Sequence, residues 1–310
     1  MSNPSVTSTL IVFCGKGGVG KTTLSLAFGL RQANQGRRVV VVTSHPLSEL
    51  AVSISLHGLK EKCPFAAANL FVVHIDAKEI LGNKVRQQIP SAWLANAVLS
   101  SRIYQSLIEV APGLKELAFL ARLHQLAEHQ SQEEGGESYD LLIWDAPATG
   151  HFLQTLRVSR NFDAYLSGPF ALIGKDLTRF FSDPAKIRIF PVTTLEEMAI
   201  EETVELCEKL AADLGTKPAG VICNLASPLL AEPPSTLENL YQQYAGDERC
   251  GDLGYVLDRH AIERNLFHKL QDSVDAGCRI VRRKPNWASD LELLLDLSRQ
   301  LGEDLASDTP

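Results

Sequence analysis

The stretch Gly15-Lys16-Gly17-Gly18-Val19-Gly20-Lys21-Thr22-Thr23 constrains this chain more than any other segment. It fits the pattern G-x-x-x-x-G-K-[ST]. It stands between an apolar run, Leu10 to Phe13, and a segment from Lys21 to Gln35 with Leu24, Ala27, Phe28 and Arg31 at helical spacing. Glycines in such a turn let successive backbone N–H groups point inward around an anion. The start of the following helix adds its partial positive charge. The predicted use is a phosphate cradle in which Lys21 reaches the β and γ phosphates of a nucleotide and the Thr22 hydroxyl completes a Mg²⁺ shell.

The rest of the chain extends this start into a sheet. Gly36 stops the first helix, and Val39 to Val42 is the continuous β-branched run of a strand buried on both faces. Further apolar runs follow at Leu70–Ile75, Leu141–Trp144, Ile187–Val192 and Gly220–Cys223, each flanked by helical-looking sequence. The predicted fold is α/β: a doubly wound, mostly parallel sheet of the P-loop NTPase kind. Ser91 to His129 is helical in pattern, broken only at Ala111-Pro112-Gly113, so a helical subregion is expected over residues 76–130 and 152–185. Ser131–Ser138 and Ala231–Ser235 read as solvated loops, and the acidic tail from Gly302 as frayed. Nothing marks a second domain, and residues 1–310 are read as one.

A second chemical signal is Tyr139-Asp140-Leu141-Leu142-Ile143-Trp144-Asp145, an apolar strand ending in a carboxylate. Asp145 is the candidate that holds Mg²⁺ through its shell. Bulk charge narrows the partners. The formal net charge is −7, so nucleic acid and anionic lipid have no general attraction for this chain. No apolar run approaches about 18 residues, so no stable membrane insertion is expected, and the default expectation is a cytoplasmic protein. The six cysteines include no C-x-x-C pair, which argues against a zinc or redox site built on local spacing.

Lys16 adds a more specific pattern. K-G-G-V-G-K resembles the deviant Walker A class, and D-A-P-A-T-G-H (Asp145 to His151) resembles the second switch of the ArsA and tail-anchored-protein-targeting ATPases. Val192 to Met198 resembles that family's V-T-x-x-E-E-M segment. Gly220 to Asn224 resembles its strand whose terminal Asn contacts adenine. A Pro-Gly break like that at Pro112-Gly113 also occurs in the family. The resemblance implies an ATPase that uses ATP and Mg²⁺ as a nucleotide-gated dimeric switch, coupling binding and hydrolysis to a protein client. It implies that Lys16 completes the nucleotide site of a second subunit, either another copy or a paralogous ATPase. It further implies that Thr149, Gly150 and His151 follow the γ-phosphate and that Asn224 meets the base.

Three departures qualify the resemblance. His45 stands where the family's first switch carries a water-positioning Asp. A neutral imidazole can orient water, but an imidazolium beside phosphates cannot act as a base. Lys16, Lys21 and His45 are therefore the candidate catalytic residues, with slow hydrolysis expected. The alternative is a weakly or non-hydrolysing ATP-binding subunit beside an active paralogue. The family's zinc-clamping C-x-x-C and its paired arsenite-binding cysteines are missing. Only Met1 and Met198 occur, too few for a Met-rich groove. Trp93, Leu94, Ile103, Leu107, Ile108, Phe162, Tyr165, Leu166, Phe170, Phe180 and Phe181 could form either core or an apolar client surface.

Overall fold

Alternate residues of the central strands are buried against opposite helical layers. In β1 (Thr9–Gly15), Leu10, Val12 and Cys14 face one core while Ile11 and Phe13 face the other. The same division holds in β2 (Val39–Thr43), where Val40 and Val42 oppose Val39 and Val41. A strand covered on both faces has no polar face, which is why these segments read as unbroken apolar runs.

The computed structural model describes residues 9–43, 63–65, 69–89, 91–102, 106, 113–128, 139–165, 169–243, 250–284, 286 and 289–302. The other strands are β3 (Cys63–Phe65), β4 (Leu70–His74), β5 (Leu141–Ala148), β6 (Ile187–Thr194), β7 (Val221–Ala226) and β8 (Cys278–Arg282). They form one eight-stranded sheet in the order β3-β4-β2-β5-β1-β6-β7-β8. Every pairing is parallel except β3 with β4 at the edge. The α/β, doubly wound, mostly parallel architecture is thus present. β3 and β8 had no counterpart among the predicted strands.

One face carries α1 (Lys21–Asn34) and α10 (Asp290–Leu301). Leu24, Ala27 and Phe28 of α1 and Leu294, Leu297 and Leu301 of α10 join a single core with Ile11, Val41 and Ile143. Arg31 adds a hydrogen bond from Nη1 to the Ser298 carbonyl at 3.1 Å. The opposite face carries α4 (Leu114–Ala127), α5 (Thr149–Tyr165), α6 (Pro169–Phe181) and α7 (Glu197–Lys209). There Trp144 meets Phe119 and Phe152, each at 5.3 Å between ring centroids. α2 (Ala77–Gln88) and α3 (Ala92–Ser100) lie beyond β4 in the chain, and α8 (Pro234–Gln243) and the long α9 (Cys250–Ser273) precede β8.

Helices α2, α3 and α4 fall within the expected 76–130 and α5 and α6 cover most of 152–185, but residues 89, 91, 101 and 182–185 are described and not helical. The expected Ala231–Ser235 loop instead ends a short 3₁₀ turn, Pro228–Ala231, and starts α8 at Pro234. Proline is suited to a first helical position because the missing N–H is not needed there. Among the described residues, no helix is long and apolar enough to cross a membrane.

Of the doubtful apolar set, Phe180 and Phe181 are core, Phe162 is half-buried, and Trp93 and Leu94 are exposed. Ile103, Leu107, Ile108 and Leu166, and the side chains of Tyr165 and Phe170, lie outside the described residues.

Candidate functional site

The carboxyl ends of β1, β5, β6 and β7 bring the sequence-predicted residues to one edge of the sheet, where parallel α/β folds gather ligands. Gly15 closes β1 at φ 136°, and a Cβ there would run into the Val192 carbonyl oxygen on β6. Only glycine lets the loop leave the sheet at that point. Gly20 ends the loop at φ 91°, directly before α1. A Cβ on Gly20 would strike the Asn224 amide.

Lys21, the first residue of α1, folds back over the loop. Its Nζ donates to the Gly15 carbonyl at 3.0 Å and the Lys16 carbonyl at 2.9 Å. Burial pulls its ammonium below the ordinary value, while Asp145, Cys14 and Glu202 pull the other way. A partly desolvated cation held in place by carbonyl dipoles is suited to an incoming polyphosphate. Lys16 itself is half-buried, and Gly17 and Gly18 are exposed. Val19 is core, which anchors the middle of the loop.

Thr22 Oγ1 donates to Asp145 Oδ2 at 2.7 Å. Asp145 is 1% exposed and aligns with Phe13 on one side and Thr43 on the other. Its strand does not end at the carboxylate, as predicted, but runs three residues further to Ala148. Among the described residues no three His, Cys, Asp or Glu side chains gather as a metal site. A Mg²⁺ ion at a nucleotide needs only one or two protein oxygens, since phosphate oxygens and water complete its octahedron. The Thr22–Asp145 pair fits that donor set.

Thr149, Gly150 and His151 form the first turn of α5 immediately after β5. Gly150 and His151 are exposed, whereas Thr149 is buried and its Oγ1 has no partner among the described residues. A hydroxyl left unpaired beside a helix start is a ready donor for an anionic oxygen. His45 lies outside the described residues.

Asn224, on β7, is 4% exposed; its Nδ2 donates to the Val19 carbonyl at 2.8 Å, tying the strand to the loop. Its Oδ1 is buried without a partner among the described residues. Asn224 borders a cleft of about 550 Å³ lined also by Gly20, Thr23, Leu225, Arg282 and Arg283. Leu225 is the one described non-glycine residue in the left-handed region, at φ 57°. That conformation costs a leucine about 1–3 kcal/mol and clusters at functional sites. Sequence reasoning missed Leu225 and the arginines. The basic run Arg282-Arg283-Lys284 was visible, but its strand was not recognised.

Over much of its length the chain is similar to known proteins. The model of the anion-transporting ATPase (ArsA ATPase) family matches residues 8–172, a little over half of the chain. The arsenical pump-driving ATPase of Escherichia coli is 26% identical over 245 residues, which cover 73% of this chain and 41% of the relative. That of Acidiphilium multivorum is 26% identical over 232 residues, covering 69% of this chain and 39% of the relative. The chain therefore spans about two fifths of the length of these curated relatives.

Proposed function

The chain belongs to the ArsA family of anion-transporting ATPases, and from that premise we propose that it binds ATP with Mg²⁺ at Gly15–Thr23 and hydrolyses it. The observation that carries the proposal is the junction of a part-buried Lys21 with the Thr22–Asp145 hydrogen bond. Lys21 would exchange two loop carbonyls for the β and γ phosphates. Thr22 and Asp145 would hold the metal shell. When bound, Mg²⁺ supplies Lewis-acid polarisation of the phosphate oxygens. Thr149 Oγ1 would donate to the γ-phosphate or to the attacking water, and Gly150 and His151 would move with the γ-phosphate. The chemistry is in-line attack of water, in which positioning and electrostatics do most of the work.

Asn224 is the base-reading residue in this proposal. One of its two amide hydrogens goes to Val19, and its unpartnered carbonyl oxygen suits the 6-amino group of adenine and opposes the 6-oxo group of guanine. Lys16 would act across a dimer interface on the nucleotide of a second copy or a paralogue. Exposed Trp93 and Leu94 on α3, and Leu172 and Ile173 on α6, support binding of an apolar protein client. An oxyanion-pump role is disfavoured by the cysteines whose side chains are described: Cys14 and Cys223 are buried, and burial pushes the thiols of Cys14, Cys207, Cys223 and Cys278 up, away from the reactive thiolate.

A second reading rests on His45, an imidazole where the family resemblance puts a carboxylate. On that reading the chain binds ATP but hydrolyses it weakly or only beside a paralogue. Single-turnover ATP hydrolysis by the purified chain, alone and with candidate partners, separates the two. The His45→Asp variant should raise kcat by at least about tenfold with little change in KM, because a general base contributes about 10² or more. A rate in the unmodified chain that His45→Asp does not raise, with folding intact, removes His45 as the limiting group.

A further inference from the structure

The segment that follows Asn224 is tethered from two sides. On one side stands Glu263 of α9, only 4% exposed. Its Oε2 accepts the Ser227 N–H at 2.8 Å, and its Oε1 accepts the Arg259 Nε–H at 3.0 Å. On the other side the Arg283 N–H donates to the Ala226 carbonyl at 2.8 Å, just past β8. Ser227 Oγ in turn accepts the Leu229 N–H at 3.2 Å and starts the 3₁₀ turn. Leu225 lies between these tethers and Asn224. It keeps its left-handed backbone and presents an exposed side chain to the cleft.

A strained leucine persists only where its surroundings over-determine it. The tethers supply that constraint, and none of them touches the phosphate loop. The buried carboxylate divides its two oxygens between the Ser227 N–H and Arg259, so it ties the turn after Asn224 to α9 by a charged group whose geometry is fixed at both ends.

We propose that Glu263 is a positioning residue for base recognition: through Ser227 it fixes the Asn224 carbonyl and the Leu225 wall, and so sets the preference for adenine over guanine nucleotides. The proposal rests on the reading of this chain as an ATP-binding protein. It adds a determinant on a helix remote from the phosphate site. A Glu263 that served stability alone would weaken every polyphosphate ligand together. A Glu263 that positions the base site changes nucleotide selectivity and leaves the triphosphate contacts alone.

The test is calorimetric binding of ATP, GTP and inorganic tripolyphosphate to the full chain and to Glu263→Gln, Glu263→Ala and Leu225→Gly. The unmodified chain should prefer ATP over GTP by about tenfold or more, since one satisfied and one repelled cleft contact differ by that order. Glu263→Ala should bring the ATP-to-GTP ratio close to one without changing tripolyphosphate affinity. Glu263→Gln keeps an acceptor for the Ser227 N–H and should keep the ratio within about threefold. Leu225→Gly should also lower the ratio, and it stands as the test should Glu263→Ala fail to fold. An unchanged ratio in folded Glu263→Ala or in Leu225→Gly overturns the proposal, as does a parallel loss of ATP and tripolyphosphate. An unmodified chain that binds both nucleotides equally overturns the base reading but not the phosphate site. One that binds neither nucleotide nor tripolyphosphate overturns both.

Discussion

Thr22 and Asp145 are 123 residues apart in the chain and meet at 2.7 Å, hydroxyl to carboxylate, at the start of α1. The contact joins the phosphate loop to the strand beside it, because β1 and β5 are hydrogen-bonded neighbours and Asp145 sits level with Phe13. Asp145 is also close enough to Lys21 for its charge to oppose the downward pull of burial on that ammonium. Asp145→Asn keeps the shape and removes the charge. Its expected effect is loss of the Mg²⁺ dependence of ATP binding and a fall in hydrolysis of about 10² or more. Calorimetry with and without Mg²⁺, together with phosphate release, checks this. An Asn variant with unchanged Mg²⁺ dependence would remove Asp145 from the metal shell.

The loop glycines are not equivalent. Gly20→Ala must place a Cβ against the Asn224 amide at a left-handed φ, whereas a Cβ on Gly17 meets nothing within 4 Å. Gly20→Ala should cost about 1–3 kcal/mol of stability, and Gly17→Ala no more than about 0.5 kcal/mol. Urea unfolding of the two variants decides it. Equal stability would contradict the strand-to-loop tie through Asn224.

Lys16 is expected to act in assembly rather than in binding. Its side chain is half-buried, and its carbonyl already serves Lys21. Lys16→Ala should leave ATP affinity within a few-fold while weakening ATP-driven dimerisation. Light scattering that finds an ATP-independent monomer, with a candidate paralogue present, would count against it.

A pH-dependent contribution comes from the far side of the sheet. Burial is the largest single influence and would raise the Glu128 carboxyl, but the hydrogen bonds and charges of Lys186 and His124 together outweigh it, so the net shift is downward from 4.5. Lys186 Nζ lies 3.1 Å from Glu128 Oε1, and His124 Nε2 lies 3.4 Å from Glu128 Oε2. A depressed carboxylate stabilises the fold above its unfolded pKa, and the gain disappears as pH falls through the folded value. Glu128→Gln should therefore destabilise by roughly 0.5 kcal/mol at neutral pH, given partial solvent screening. The difference from the unmodified chain should vanish in strong acid. Unfolding curves at pH 7 and at low pH measure it; a difference that grows on acidification would reverse the sign and contradict the assignment.

The legible parts of the sequence were those whose cause is local. β1, β2, β5 and β6 are buried on both faces, so Leu10–Phe13, Val39–Val42, Leu141–Trp144 and Ile187–Val192 announce themselves as apolar runs. The phosphate loop is contiguous, so spacing alone named Gly15 to Thr23. β8 escaped because it is an edge strand, Cys278-Arg279-Ile280-Val281-Arg282, in which charged residues interrupt the apolar ones. α9 escaped because its apolar residues do not gather on one face, and Tyr255 and Ile262 are exposed. Asn224 was reached only through the family resemblance. Leu225, Glu263 and Arg283 come together from β7, α9 and the end of β8, and no local pattern signals a left-handed leucine.

The central claim is that the loop around Lys21 is an ATP site, and titration calorimetry of Mg²⁺-ATP into the chain and into Lys21→Ala tests it most directly. The account predicts micromolar binding by the unmodified chain, of the order common for substrate sites, and no measurable binding by the variant. The alanine leaves the phosphate charge without the ammonium that Gly15 and Lys16 hold in place. Equal affinity in the two proteins, with folding intact, would contradict it.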